Sequence, residues 1–167
     1  MIELKAWESF FAAQAGAAAA LTGLIFVAVS INLAKILEYP HLPGRAGEAL
    51  MFFVQILLIS VVGLVPGLEP WMFGTAVLIF GGTGFLIAVQ GIFAHFDATG
   101  DHKWSVRWLW ILPRALTSLA ATVPLTAAGL IVLLGGPWAA LLLVIGVIVS
   151  YGAGIFNAWI LLVEILR

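Results

Sequence analysis

The stretch WAALLLVIGVIVSYGAGIFNAWILLV, residues 138–163, decides the fold. It holds no Asp, Glu, Lys or Arg. It also exceeds the roughly 20 apolar residues that a helix needs to cross a bilayer. Pro137 stands just before it, where a helix can open on a residue without an N–H. Working outward, four further apolar stretches cover about 10–33, 49–65, 71–94 and 113–134. The breakers between them fit this division: Pro40, Pro43 and Gly44, then Pro66, Gly67 and Pro70, then Gly135 and Gly136. The expected fold is an all-α, polytopic transmembrane bundle of about five spans, with 1–167 as a single domain.

Composition agrees. Hydrophobic residues make up 63% of the chain and charged residues 9%, against roughly 45–50% and about 25% in soluble domains. A soluble fold of this length leaves too much surface in water to hide such an apolar load. The net charge of −1 gives no electrostatic case for nucleic acid. With no Cys, disulfides and thiolate metal sites are excluded. A cleavable signal peptide is not expected, because Glu3 and Glu8 flank Lys5 where a basic region should stand, and the first apolar stretch is too long.

The cations set an orientation. An odd number of spans puts the termini on opposite sides. Of the seven Lys and Arg, only Lys5 then falls on the side of the N-terminus. Lys35, Arg45, Lys103, Arg107, Arg114 and Arg167 share the other side. The positive-inside rule makes that side cytoplasmic, with the N-terminus outside. Trp, which favours the headgroup level, falls in step. Trp7, Trp71 and Trp138 lie at the outer boundary, and Trp104, Trp108, Trp110 and Trp159 at or near the inner one.

Before the fourth span, Lys103, Arg107 and Arg114 recur on one helical face and Trp104, Trp108 and Leu112 on another. This pattern fits a short amphipathic segment on the inner leaflet, cations toward lipid phosphates. The plainer reading is a fourth span that begins early.

Small residues recur at helix-packing spacing: Gly146, Ser150, Gly154 and Ala158 in the fifth span, Gly16, Ala19, Ala20 and Gly23 in the first. The third span adds Gly74, Gly81, Gly84, Ala88 and Gly91. Such stripes let helix backbones approach closely. They serve packing within one chain or a homo-oligomer seam.

Five large polar groups come one from each span: Asn32, Gln55, Gln90, Arg114 and Asn157. The proposed topology puts all of them in the cytoplasmic part of the bilayer, Gln55 and Asn157 roughly 10 Å below the boundary. Gathered together, they would line a cytoplasm-facing vestibule with Arg114 as its fixed charge, suited to an anion. The competing reading is interhelical hydrogen bonding plus an Arg that reaches the headgroups. Ser118, Thr122 and Thr126 continue the stripe of Arg114, with Pro124 inside it. This polar line is a pathway wall or the repair of a proline-broken helix.

The loop holding His95, Asp97, Asp101 and His102 contains metal-ligand types, but its spacing matches no closed structural site. No metal and no cofactor are expected. Arg45 and Glu48 read as an exposed pair one turn apart at the start of the second span. Every acidic residue reads as lying at or outside the membrane boundary, which argues against a proton relay at depth. No nucleophile elbow, metalloprotease helix or phosphate loop is present.

The run LTGLIFVAVSINL at 21–33, then LPGRA at 42–46 and LVPG at 64–67, resembles a widespread, uncharacterised family of small polytopic bacterial membrane proteins. The likeness extends to about Pro70, and beyond it rests on hydropathy alone. It implies a bacterial plasma-membrane protein and transfers no activity, cofactor or site residue. The leading expectation is a non-enzymatic membrane protein that works through helix packing, as a homo-oligomer or an accessory subunit of a membrane complex. The alternative is a small channel or transporter for an anion or small polar solute. A membrane enzyme stands third.

Overall fold

The computed structural model describes the backbone of residues 4–39, 42–98 and 104–166, and side-chain surroundings within 4–39, 42–93 and 112–164. A 3-10 turn, Leu4–Trp7, leads into α1 (Glu8–Ile31) and the short α2 (Leu33–Glu38). Four long helices follow: α3 (Leu42–Gly63), α4 (Pro70–Ala98), α5 (Trp104–Leu133) and α6 (Ala139–Leu166). Five of the described helices are long and apolar enough to cross a membrane.

Local chemistry explains the punctuation. Asn32 separates α1 from α2: its backbone N–H and its Nδ2 both donate to the Ala28 carbonyl, at 3.3 and 2.9 Å. A side chain that competes for helical acceptors is a natural break. After α3, Leu68 N–H donates to the Val65 carbonyl around Pro66 and Gly67, whose φ is +71°. Pro then Gly at the centre of such a turn is the type II signature. Pro70 opens α4 behind Glu69, where its missing N–H costs nothing. After α5, Gly136 N–H donates to the Ile131 carbonyl at 2.9 Å and Gly135 N–H to the Val132 carbonyl at 3.1 Å. With Gly135 at φ +70°, this is a Schellman cap.

Two boundaries differ from the sequence reading. α3 begins at Leu42, well before 49. Pro43 and Gly44 look like breakers, yet Pro43 sits in the first helical turn, where a proline is tolerated. α5 begins at Trp104 and runs unbroken through Pro113, so the backbone carrying Trp104, Arg107 and Trp108 is the start of that helix and not a separate element. The side chains of those three residues, and the whole of Lys103, lie outside the described residues.

α3, α4, α5 and α6 close into a ring, each touching two neighbours, and α1 leans on the outside against α3. The ring packs through small residues. A Cβ at Gly81 would meet the Thr126 nitrogen at 2.9 Å, and one at Gly74 would meet Val132 at 2.8 Å, so α4 and α5 touch nearly backbone to backbone. A Cβ at Gly146 would run into Leu125 at 2.6 Å, and one at Gly154 into Phe53 at 2.6 Å. Ser150 is fully buried and Ala158 half-buried. The stripe expected as an oligomer seam on the fifth span is therefore used inside the chain, against α3 and α5. Gly16 and Gly23 on α1 behave differently: a Cβ at either meets nothing within 4 Å.

An apolar cluster of Phe11, Ile56, Ile59, Phe73, Val77, Leu125 and Leu143 fills one end of the bundle. A smaller one, Ile36, Leu42, Ala46 and Leu161, seals the other and pins α2 there. The polar residues lie between and around this second end.

Candidate functional site

Glu48 lies on α3, six residues into the helix, or roughly 9 Å from its end. Its side chain is 8% exposed. Arg114 of α5, 13% exposed, reaches across to it: Nη2 lies 2.6 Å from Oε1 and Nε donates to the same oxygen at 2.8 Å. Glycines make room for the pair. A Cβ at Gly44 would stand 3.1 Å from Arg114 Nη2, and one at Gly91 would stand 3.7 Å from Glu48 Oε1. The second carboxylate oxygen, Oε2, is buried without a hydrogen-bond partner. Two ions removed from water survive only as partners, because each alone carries a desolvation penalty of several kcal/mol.

Arg45 stands one turn before Glu48 but points elsewhere. Its Nη1 donates to Asn157 Oδ1 at 3.5 Å, and Asn157 Nδ2 donates to the Ala153 carbonyl at 3.1 Å. Arg45 is half-buried and lies within the fields of Arg114, Glu48 and Glu164. α3, α5 and α6 thus each contribute to one charged layer of Arg45, Glu48, Arg114 and Asn157.

Two turns deeper, roughly 10 Å along α3, Gln55 Nε2 donates to Ser150 Oγ at 3.2 Å, and Ser150 Oγ donates to the Ala121 carbonyl at 3.3 Å. Gln55 Oε1 has no donor and presses on Gly84, where any Cβ would collide with it. Ser118 Oγ is likewise buried without a partner. Thr122 and Thr126 donate to the carbonyls of Ser118 and Thr122, at 2.8 and 2.9 Å. Their hydroxyls are spent on their own helix. A third polar contact ties α1 to the ring: Tyr151 Oη donates to the Gln14 carbonyl at 3.2 Å.

Of the polar residues singled out in the sequence, Gln55, Arg114, Ser118, Thr122 and Asn157 face the interior. Asn32 and Gln90 do not join them. Asn32 is occupied at the α1–α2 break, and Gln90 is exposed on the outer surface of α4. The residue that sequence reasoning missed is Glu48. Once α3 is extended to Leu42, Arg45, Glu48, Phe52 and Gln55 fall on one face at helical spacing, and that periodicity was the available signal. Among the described residues, no group of three or more His, Cys, Asp or Glu could hold a metal. His41, Asp101 and His102 fall outside the described residues, as do the side chains of His95 and Asp97.

Five long apolar helices, packed around an apolar core with a few buried polar groups, define the class: an all-α integral membrane bundle. The chain matches no protein family model, no curated protein and no solved structure with which it was compared.

Proposed function

We propose that this is a non-enzymatic, multi-pass protein of the bacterial plasma membrane, N-terminus outside and C-terminus cytoplasmic, that works by packing α1 against a further transmembrane helix. That helix belongs to a second copy of the chain or to another subunit of a membrane complex. The membrane is supported by the five long apolar helices, and the orientation by the cation asymmetry.

The observation that carries the packing role is the state of α1. Only 6% of its most apolar stretch is buried, against 33 to 56% in the other four spans. Its free surface is also not a generic lipid surface. Ala12, Gly16, Ala19, Gly23, Phe26 and Ser30 are all exposed and alternate at spacings of four and three. That spacing is the seam of a left-handed helix pair, and its small residues allow the close approach that drives helix association in lipid. Gly16→Leu and Gly23→Leu add bulk where nothing stands, so the fold should survive while the assembly dissociates, read as a smaller particle in mild detergent. Wild-type protein that runs as a lone monomer and captures no membrane partner would contradict the proposal.

A channel or transporter is the second reading. Of four buried side-chain oxygens without a partner among the described residues, the three inside the ring, Glu48 Oε2, Gln55 Oε1 and Ser118 Oγ, favour it; the fourth is Gln14 Oε1 on α1. Its anion selectivity loses support, since Arg114 is neutralised by Glu48.

A further inference from the structure

Between α1, α3 and α6 runs a groove of about 350 Å³. Leu24, Ile25, Ala28 and Val29 form one wall, Ile155, Ala158 and Leu162 the other, and Ala49 the floor. Trp159 and Asn32 flank one end. This face of α1 lies opposite the small-residue seam, so the two surfaces are distinct.

We propose that the groove is a binding site for one acyl chain of an anionic phospholipid of the cytoplasmic leaflet. Three observations agree on that occupant. The groove is almost wholly apolar and open along its side, and in hydrocarbon an open apolar slot is filled by the solvent at hand. From Leu24 to Asn32 it extends roughly 12 Å along α1. That is close to the hydrocarbon depth of one leaflet, roughly 15 Å. Its mouth carries an exposed cation. Lys35 stands in α2, just beyond Asn32, while Arg45, one turn before Ala49, is turned to Asn157. Lys35 is exposed and has no carboxylate partner among the described residues. The mouth also holds two carboxylates: Glu38, exposed at the end of α2, and Glu164, one turn beyond Leu161, whose charge acts on Arg45. Lys35 is therefore the cation most available to a phosphate, and Trp159, exposed at the rim, sits where an indole meets headgroups.

The inference rests on the cytoplasmic placement of this end, proposed above. Its test reads lipid, not topology or assembly. The full-length protein is reconstituted in vesicles of equal phosphatidylcholine and phosphatidylglycerol, extracted in mild detergent and examined by native mass spectrometry. Wild-type protein should retain phosphatidylglycerol in preference to phosphatidylcholine. Ala28→Trp fills the groove from an exposed position and should lose the retained lipid while leaving thermal stability unchanged. Lys35→Gln should keep a lipid but lower the headgroup preference roughly fivefold, the loss expected for one surface cation. Equal retention of both lipids by the wild type overturns the proposal, as does undiminished retention by Ala28→Trp. A dimer abolished by Ala28→Trp would overturn it too, by putting a second copy in the groove.

Discussion

α1 and α3 are nearly matched in length, 24 and 22 residues, and both are strongly apolar. Yet α3 is the most buried span of the bundle and α1 the least. The contrast shows what burial follows when lipid is the solvent. Apolar surface gains nothing by leaving hydrocarbon, so hydropathy does not send a helix to the centre. Polarity does. α3 carries Arg45, Glu48, Gln55 and Ser60, and each needs protein partners because lipid offers none. α1 carries Gln14, whose side-chain oxygen is buried without a partner, but Ala and Gly along much of its remaining length. Its hold on the bundle comes from Phe11 and Ala18 and from the bond that Tyr151 makes to Gln14.

The comparison can be broken from the α3 side first, where the largest effect lies. Glu48→Ala leaves Arg114 buried without its carboxylate and should destabilise the bundle by about 3–5 kcal/mol, measured by denaturant titration in detergent micelles. Replacing both at once with Leu and Met should recover most of that loss, since a buried ion pair often breaks even against well-packed apolar residues.

Next comes Gly154→Leu, which drives a side chain into Phe53 and should lower stability by about 1–3 kcal/mol. Its seemingly similar counterpart on α1, Gly16→Leu, should change the monomer's stability by less than about 0.5 kcal/mol. If the two glycine variants proved equally damaging to the monomer, the distinction between an internal stripe and an outward one would fail. Another small effect sharpens the picture between α3 and α6. Ser150→Ala removes the partner of Gln55 and should cost about 0.6 kcal/mol, the average for a hydrogen bond between membrane helices.

The division into five spans was legible because length and the absence of charge suffice to mark one, as in 138–163. The turns after α3 and α5 were legible for a different reason: Pro66-Gly67 and Gly135-Gly136 have backbone preferences that act locally. The polar interior was only partly so. Pro43 and Gly44 looked like a loop, which placed Glu48 outside the membrane and left Arg114 without its partner. A pair 66 residues apart in sequence leaves no local trace. The same limit applies to small residues. Gly16 and Gly154 carry identical spacing signals, and only the arrangement of helices in space assigns one to the surface and the other to Phe53. Asn32 shows the remaining gap: a polar residue in a span can meet its own helix and need no neighbour.

A double-mutant cycle across Glu48 and Arg114 tests most directly whether polar partnership holds α3 at the centre. Stability is measured for wild type, Glu48→Gln, Arg114→Gln and the double variant. Each single change should be more damaging than its share of the double, with a coupling energy above about 1 kcal/mol. Effects that add within about 0.5 kcal/mol would mean that the two side chains do not meet, and burial in this bundle would need another cause.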